Sequence, residues 1–533
     1  MRKILLTFAL VCFAASLMAG GLVTNTNQSA AWTRLMCRGA SLDVDAVYYN
    51  PAGTVMMDKG LHFSVSNQTI TQTRWINTNF PLLDGVTPTQ TKEYIGDVFA
   101  PAFPSIYGVY NLGKIAVSAA FNPIGGGGGA TFSDGLPRIE YDPSLIAYSL
   151  SGAGVTGYDL EAKFEASSIY FGYQLNVAYK INDMISIAVG GRMVTAKNTY
   201  NGYLRNVNLD FLGTPTGVAD VFTALSGNAS GAAASVQPII DGGGGDFTLA
   251  QLVGAGQLLQ AQADALEAGL QGLGIDPTGY TAAQVQGAYT AAATDLAGKS
   301  VVYGGLMNQE AEVLQTATGF APVISVNIQP IDMLNIAIKY EGKTSLKFKN
   351  ETTSDFVTAV DPLTGAPTAS MFPNGYEYNA DMPALLSVAA MLRPTDRLML
   401  TAGFTTYFDQ PLDYSQGLGI DLIDKNFFSY SVGAEFGLTD ALGISAGYSG
   451  TVTGVNELYQ NDMTHSLNTS SFGGGFVYSV GSLLDINIGA AFTSYAEETY
   501  DKVKTPPVGT PISYQETYDR GVWLVGIGVD LHF

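Results

Sequence analysis

Three cations in this 533-residue chain are placed to hold an anion: Arg38, Arg192 and Lys339. Arg192 and Lys339 each fall on the polar side of a run in which apolar and polar residues alternate. A guanidinium or ammonium shielded from water makes strong charge-assisted hydrogen bonds to a carboxylate. The carboxylate can belong to a ligand, or to the protein as an internal ion pair with an acid such as Glu341 or Glu435. Other chemistry is poorly supported. The three histidines, His62, His465 and His532, are scattered, with no local serine partner and no metal-ligand spacing. The glycine runs at 125–129 and 242–245 are not followed by Gly-Lys-Ser/Thr, so they are not phosphate loops. No catalytic centre, metal or cofactor is expected.

Residues this far apart need a frame to hold them. From about Ile169 to Phe533 the chain repeats two alternating runs joined by a tight polar turn. Ile169, Phe171, Tyr173, Leu175, Val177 and Tyr179 share one face, while Gly172, Gln174, Asn176 and Lys180 fall on the other. A side-chain period of two is a strand, and repeated hairpins make a meander. Tight turns lie at 111–114, 181–184, 330–333, 394–397, 438–441 and 480–483. They carry Asn, Asp or Gly where a turn needs them. With a strand from about Leu61 to Asn77 before these pairs and one from about Ser513 to Phe533 after them, the total is fourteen. The even number fits a single-chain, all-β, antiparallel transmembrane barrel, with short turns and both termini periplasmic and seven loops outside. In the run from Leu334, the residues Leu334, Ile336, Ile338 and Tyr340 are uncharged, and Lys339 and Glu341 fall opposite. Arg192, Glu435, Asp485 and Asp530 behave alike. A one-residue slip would turn such charges to lipid, at roughly 2–4 kcal/mol for a basic residue near the midplane. A soluble sandwich also alternates, but with shorter strands and no reason for a terminal aromatic.

Composition and the chain ends agree with a barrel. Charged residues are 13% of the chain, and no stretch after residue 20 is long and apolar enough for a helical span. Met1-Arg2-Lys3, an apolar run to Leu17 and Met18-Ala19-Gly20 form a secretory signal, with cleavage expected after Ala19. Cys12 leaves with it, so Cys37 is the lone thiol of the mature chain and no internal disulfide can form. A net charge of −21 argues against nucleic acid as a partner. Residues 60–533 are assigned to the barrel, and residues 20–59, which do not alternate, to a plug inside it or else a free periplasmic tail. The longest loop, 206–314, carries helical spacing through Leu249, Leu252, Val253, Leu259, Leu266, Leu270 and Leu273, and again through Val285, Tyr289 and Leu296. A third helix is read through Leu306, Glu310, Val313 and Leu314. These stripes either pack together or leave an apolar groove for a hydrophobic ligand.

A proline inside a closed barrel removes a ladder bond that nothing replaces. Pro101, Pro104, Pro322 and Pro383 are read near the outer ends of strands, where the loss is small. Phe121-Asn122-Pro123-Ile124, followed by Gly125 and Gly126 in the glycine run, weakens pairing on both sides of the third strand. The outcome is an inward kink with a gap in the wall, or simply a flexible loop.

The run Arg38 to Gly53, ending Tyr49-Asn50-Pro51-Ala52-Gly53, resembles the N-terminal hatch of the FadL-like outer-membrane transporters of long-chain fatty acids and hydrocarbons. The resemblance continues through Asn379 to Gly403, with a Pro-Ala pair opening a strand, a Pro-Thr-Asp turn and a returning strand, and it covers nearly the whole mature chain. It implies that Asn50, Pro51 and Ala52 form the hatch motif, Pro51 stiffening the chain and Asn50 bonding wall or ligand. Lys197 in Val194-Thr-Ala-Lys197 stands where the family places basic residues, although strict alternation points it outward unless a bulge intervenes. Ligand-binding candidates are thus Arg38, Arg192, Lys197 and Lys339. The resemblance further implies passive uptake of a fatty acid or similar hydrophobic molecule by a monomer, with sideways release through the strand-three gap. Partners would be outer-membrane lipid and lipopolysaccharide, and the barrel-assembly machinery at the terminal Phe533. An aromatic-hydrocarbon channel and a water-filled porin are the competing readings. The 206–314 loop is longer than the family pattern.

Overall fold

The computed structural model describes residues 22–83, 91–415, 419–504 and 510–533. The expected signal at 1–19 lies outside them. Fourteen staves form the wall: β1 (Gly60–Thr78), β2 (Lys92–Asn111), β3 (Ile115–Phe132), β4 (Val155–Lys180), β5 (Ile185–Phe211), β6 (Gln309–Ile331), β7 (Leu334–Glu341, resuming at Lys347–Ser354), β8 (Glu377–Asn379 and Leu385–Thr395), β9 (Leu398–Tyr407), β10 (Phe427–Gly437), β11 (Leu442–Val452), β12 (Thr469–Val480), β13 (Leu484–Tyr495 and Glu498–Lys504) and β14 (Ile512–His532). Every neighbouring pair is antiparallel, and β14 pairs with β1 from His62↔His532 to Thr78↔Glu516, which closes the sheet. Closure leaves no strand edge exposed. The six tight turns join staves at one end, here the turn end, where Gly60 and Phe533 also lie. Long connections occupy the other, the loop end.

The alternation is visible as exposure. On β4, Tyr173, Leu175, Val177 and Tyr179 face outward, whereas Gln174 and Asn176 are buried inside. Tyr430, Val432 and Phe436 do the same on β10, and Trp523, Val525 and Ile527 on β14. This apolar outer belt with an interior of polar and aromatic groups is the pattern lipid demands of a strand-built span. No helix among the described residues is long and apolar enough to cross a membrane.

β4 and β5, of 26 and 27 residues, are more than twice the roughly 9–11 residues a spanning strand needs, so their tips stand well clear of the apolar belt. On them sits a helical cap: α4 (Val218–Ile239), α5 (Leu249–Gly254), α6 (Gln260–Gly272) and α7 (Ala282–Leu306) in our numbering, following α1 (Ala30–Leu35), α2 (Ala46–Tyr49) and α3 (Pro137–Ser149). Val221, Phe222, Val236, Leu252, Leu270 and Val285 bury a core of their own there. Thr248 and Thr281 cap α5 and α7 by accepting the amides of Gln251 and Gln284. Two readings of this loop need correction. The segment through Leu306, Glu310, Val313 and Leu314 is no helix beyond α7: from Gln309 it pairs with β5, Glu310 opposite Tyr203. β5 and β6 therefore carry the wall past the boundaries 206 and 314, to Phe211 and Gln309. Pro101 and Pro104 fall in the middle of β2, opposite a bulge between Gln68 and Ile70, not near its outer end.

Residues 22–59 fold inside the barrel as the plug. Glycines of the wall make the room. A Cβ on Gly433, Gly447 or Gly473 would run into the backbone carbonyl of Leu35 or Thr33, and one on Gly489 would come within 2.8 Å of the Arg34 amide nitrogen. Helix α1 thus lies directly on the β10–β14 wall.

Candidate functional site

Asn50 and Ala52, on either side of Pro51, are bonded to β5 and β6. The Asn50 side-chain amide donates to Asn327 Oδ1 at 2.7 Å and to the Ser41 carbonyl at 3.0 Å. The Ala52 amide donates to Ser325 Oγ (2.8 Å), and Ser186 Oγ returns a bond to the Ala52 carbonyl (2.6 Å). Pro51 opens a 3₁₀ turn, Pro51–Met56, where its missing N–H is not needed. Gln174 and Asn176 reach the Val47 carbonyl from β4, and Asn335 the Ala40 carbonyl from β7. Beside these polar contacts the plug packs apolar side chains on the wall, among them Val44, Val47 and Val55 in the main cluster and Leu35 against Met391 and Met399.

The lumen cations are already engaged. Arg192 pairs with Glu341 and donates to Gln174 Oε1 at 3.0 Å, its guanidinium 5.0 Å from the Tyr48 ring centre. Lys339 donates to the Tyr48 carbonyl (2.9 Å) and lies 3.2 Å from Glu341. Arg38 is tied within the plug to Asp45, Asp43 and Ser41. Arg34, not singled out from sequence, pairs with Glu435. A cavity of about 60 Å³ between plug and wall, lined in part by Arg38, Tyr48 and Lys339, brings two of the candidates together. Lys197 is a correction. The β4–β5 and β5–β6 registers run through it without a bulge, so it is exposed on the outer surface and cannot meet a lumen ligand.

At β3 the wall is interrupted. The β2–β3 ladder runs from Asn111↔Ala116 to Ile106↔Phe121, breaks, and resumes at Asp97↔Thr131. Pro123 supplies no N–H, and Gly126 and Gly128 take left-handed φ values of 88° and 68°, which only glycine adopts without strain. The opposite ladder with β4 shifts register between Pro123 and Gly125 and again before Gly128. The start of the plug fills the break from inside. Thr24 bridges Gly125, the Asn25 amide donates to the Ile124 carbonyl (2.8 Å), and the Gly126 amide to the Val23 carbonyl (3.2 Å). Gln28 donates to the Pro123 carbonyl (2.7 Å) and accepts from Asn122 (2.7 Å). Composition pointed to Asn122, Pro123, Gly125 and Gly126. It gave no sign of Thr24, Asn25 and Gln28, whose partners lie about a hundred residues away.

At the loop end, α3, α7 and the tips of β4 and β5 enclose a cleft of about 160 Å³. Its lining includes Leu136, Phe164, Leu204, Met307, Phe356 and Met463. An apolar cavity of about 150 Å³ admits a benzene-sized group. Of the two outcomes the sequence allowed, the cap stripes take the first and pack on one another, while the cleft is lined from α7 by its C-terminal end, at Tyr303 and Leu306. His62 and His532, far apart in sequence, meet at the seam with their Nδ1 atoms 2.9 Å apart, because the first and last staves pair. No group of three or more metal-ligating side chains occurs among the described residues.

This is a closed fourteen-stranded β-barrel of the outer-membrane type with an N-terminal plug. It has the fold of the FadL-like barrels: a structure described as a Pseudomonas aeruginosa FadL homologue superposes with a TM-score of 0.56 over 97% of this chain and 100% of that one, at 14% identity. The toluene transporters TodX of Pseudomonas putida and TbuX of Ralstonia pickettii match at TM-scores of 0.49 and 0.45 and identities of 13% and 15%, covering 92% of this chain and 94% of each of theirs. No protein-family model and no curated protein matches the sequence.

Proposed function

We propose that the protein takes hydrophobic small molecules, long-chain fatty acids or similar, passively across the outer membrane. The observation that carries this reading is the interrupted β2–β3 ladder with the plug bonded into it. A water channel needs neither a stopper nor a break in its wall. A molecule that prefers lipid gains from both, since it can leave sideways into the bilayer without crossing water. In this scheme the apolar cleft captures the ligand, the lumen receives it beside Arg38 and Lys339, a shift around Asn50, Pro51 and Ala52 loosens the plug, and exit follows at Asn122, Pro123, Gly125 and Gly126. The turn end and both termini face the periplasm, and the closed wall leaves the monomer no strand edge for pairing. Phe533, exposed at that end, is available to the barrel-assembly machinery.

Deleting Asn50–Ala52 is expected to lower uptake of a radiolabelled long-chain fatty acid severalfold in expressing cells while the barrel still migrates as a folded species on an unheated gel. Unchanged uptake in the folded variant contradicts the hatch assignment. Single-channel recording separates this reading from a water-filled porin, which would conduct steadily with its plug in place.

A further inference from the structure

Arg138, Glu140, Tyr141 and Asp142 stand within the first two turns of α3, and each is tied to a different part of the loop-end mouth. Arg138 gives its backbone amide (3.0 Å) and its Nε (2.5 Å) to the carboxylate of Asp462 in the 453–468 connection. Glu140 is buried and accepts from Lys92 (2.6 Å) and Tyr94 (2.6 Å) on β2 and from Tyr158 (2.8 Å) on β4. Tyr141 donates to Glu516 on β14 (2.5 Å), and its hydroxyl meets that of Thr78 on β1 at 3.1 Å. Asp142 pairs with Lys504 on β13 at 2.5 Å. This short stretch of helix thereby closes over four consecutive staves, β13, β14, β1 and β2.

The backbone is weak at both ends of the stretch. Gly135, just before it, takes a left-handed φ of 74°, and Pro143, inside the helix, has no N–H for the Ile139 carbonyl. Beyond Pro143 the helix belongs to the cap, with Ile146, Ala147 and Leu150 in the cap core. Residues 136–142 are therefore a flap between two breaks, held by these charged and hydroxyl groups and by apolar contacts of Leu136 and Tyr141. Lys92, Arg138 and Asp142 stay part-exposed, so salt reaches their ion pairs. The flap is also a wall of the apolar cleft. Leu136 and Ile139 line it, and so do Arg138 and Asp142 themselves. A molecule settling in the cleft lies against the very pairs that hold the flap down.

We propose that residues 136–142 form a lid over the loop-end mouth, hinged at Gly135 and Pro143 and latched by Arg138, Glu140 and Asp142. Filling of the cleft and opening of the mouth are coupled because Arg138 and Asp142 serve both. A lid sets when the mouth is open, whichever molecules pass, so it goes beyond the uptake reading and does not depend on it.

The test is the labelling rate of a cysteine beneath the lid. Thr78, 1% exposed and touching Tyr141, is replaced (T78C) in the full mature protein carrying Cys37→Ala. In neutral detergent a water-soluble maleimide should label it slowly at low salt, and several-fold faster in about 1 M NaCl, where charges are screened beyond about 3 Å. R138M should speed labelling about tenfold, the scale of one charge-assisted bond to a buried acid, and D142K about threefold, the scale of a rim ion pair. D142K/K504D, which rebuilds the pair with its charges exchanged, should return the original rate. D142K and the salt series read the same motion should R138M not fold. Labelling that ignores salt, R138M and D142K alike overturns the lid. Acceleration by D142K that K504D does not reverse overturns the ion-pair latch. No ligand enters the assay, so neither result bears on uptake.

Discussion

Arg192 shows how one side chain is constrained by its surroundings. It is 1% exposed, paired with Glu341 and laid on Tyr48. Removing one partner of a buried pair leaves an uncompensated charge, at about 3–5 kcal/mol, while replacing both by neutral groups of similar size is far cheaper. Glu341 is shared with Lys339, so E341Q, which leaves both buried cations without their acid, should destabilise the barrel by at least about that much in urea unfolding, and R192M/K339M/E341Q should recover most of the loss. Equal destabilisation by the single and triple variants would show that packing, not the ion cluster, matters here. The inward direction of Arg192 and Lys339 was legible from alternation alone, and Glu341 and Glu435 were named as acids for such pairs. The pairing of Arg192 with Glu341 and of Arg34 with Glu435 was not legible, because the partners lie 149 and 401 residues apart. The same parity places Arg74 and Arg520 inside, a signal available in the sequence but not used. Lys197 shows the reverse: alternation already turned it outward, and only the resemblance drew it toward the ligand.

At the level of elements, period-two patterning located all fourteen staves and all six tight turns, since hydrogen bonding, lipid and lumen act on the same alternation. It failed where two periods fit one segment. Leu306, Val313 and Leu314 suit a helix, but Gln309 onward has β5 to pair with, and the ladder wins. Helix α4 went unseen although Val218, Val221, Phe222, Leu225, Ala229, Ala233 and Val236 recur at helix spacing, because alanine fills the middle of that stripe and Gly and Ser stand beside it. The wall glycines were present in the sequence without a visible purpose. Their role is the close approach of α1. G447V is accordingly expected to push α1 off the wall in a barrel that still closes, overpacking costing about 1–3 kcal/mol. Limited proteolysis of the folded variant should then cut within residues 22–59, where wild type resists. An equally resistant plug would mean the contact at Gly447 is slack. G126V, forcing a β-branched side chain to a φ of 88°, should disturb β3 and lower uptake, read in the same radiolabel assay. Normal uptake would show that the left-handed kink is dispensable.

For the molecule as a whole, closure followed from the strand count and a plug from a long stretch that does not alternate. What could not be read was how the two are joined, since Thr24, Asn25 and Gln28 find their partners at Pro123–Gly126, about a hundred residues away. In the proposed scheme that junction couples the plug to the sideways exit, and locking it is the most direct test. Ser105 and Asn122 occupy the next register position after Ile106↔Phe121, at the point where the ladder stops. In a Cys37→Ala background, S105C/N122C can be joined by oxidation and freed by reduction, and uptake of labelled fatty acid measured in both states. Uptake that stops in the quantitatively oxidised protein and returns on reduction is the result expected of a lateral exit between β2 and β3. Uptake that continues unchanged through the locked barrel would contradict it.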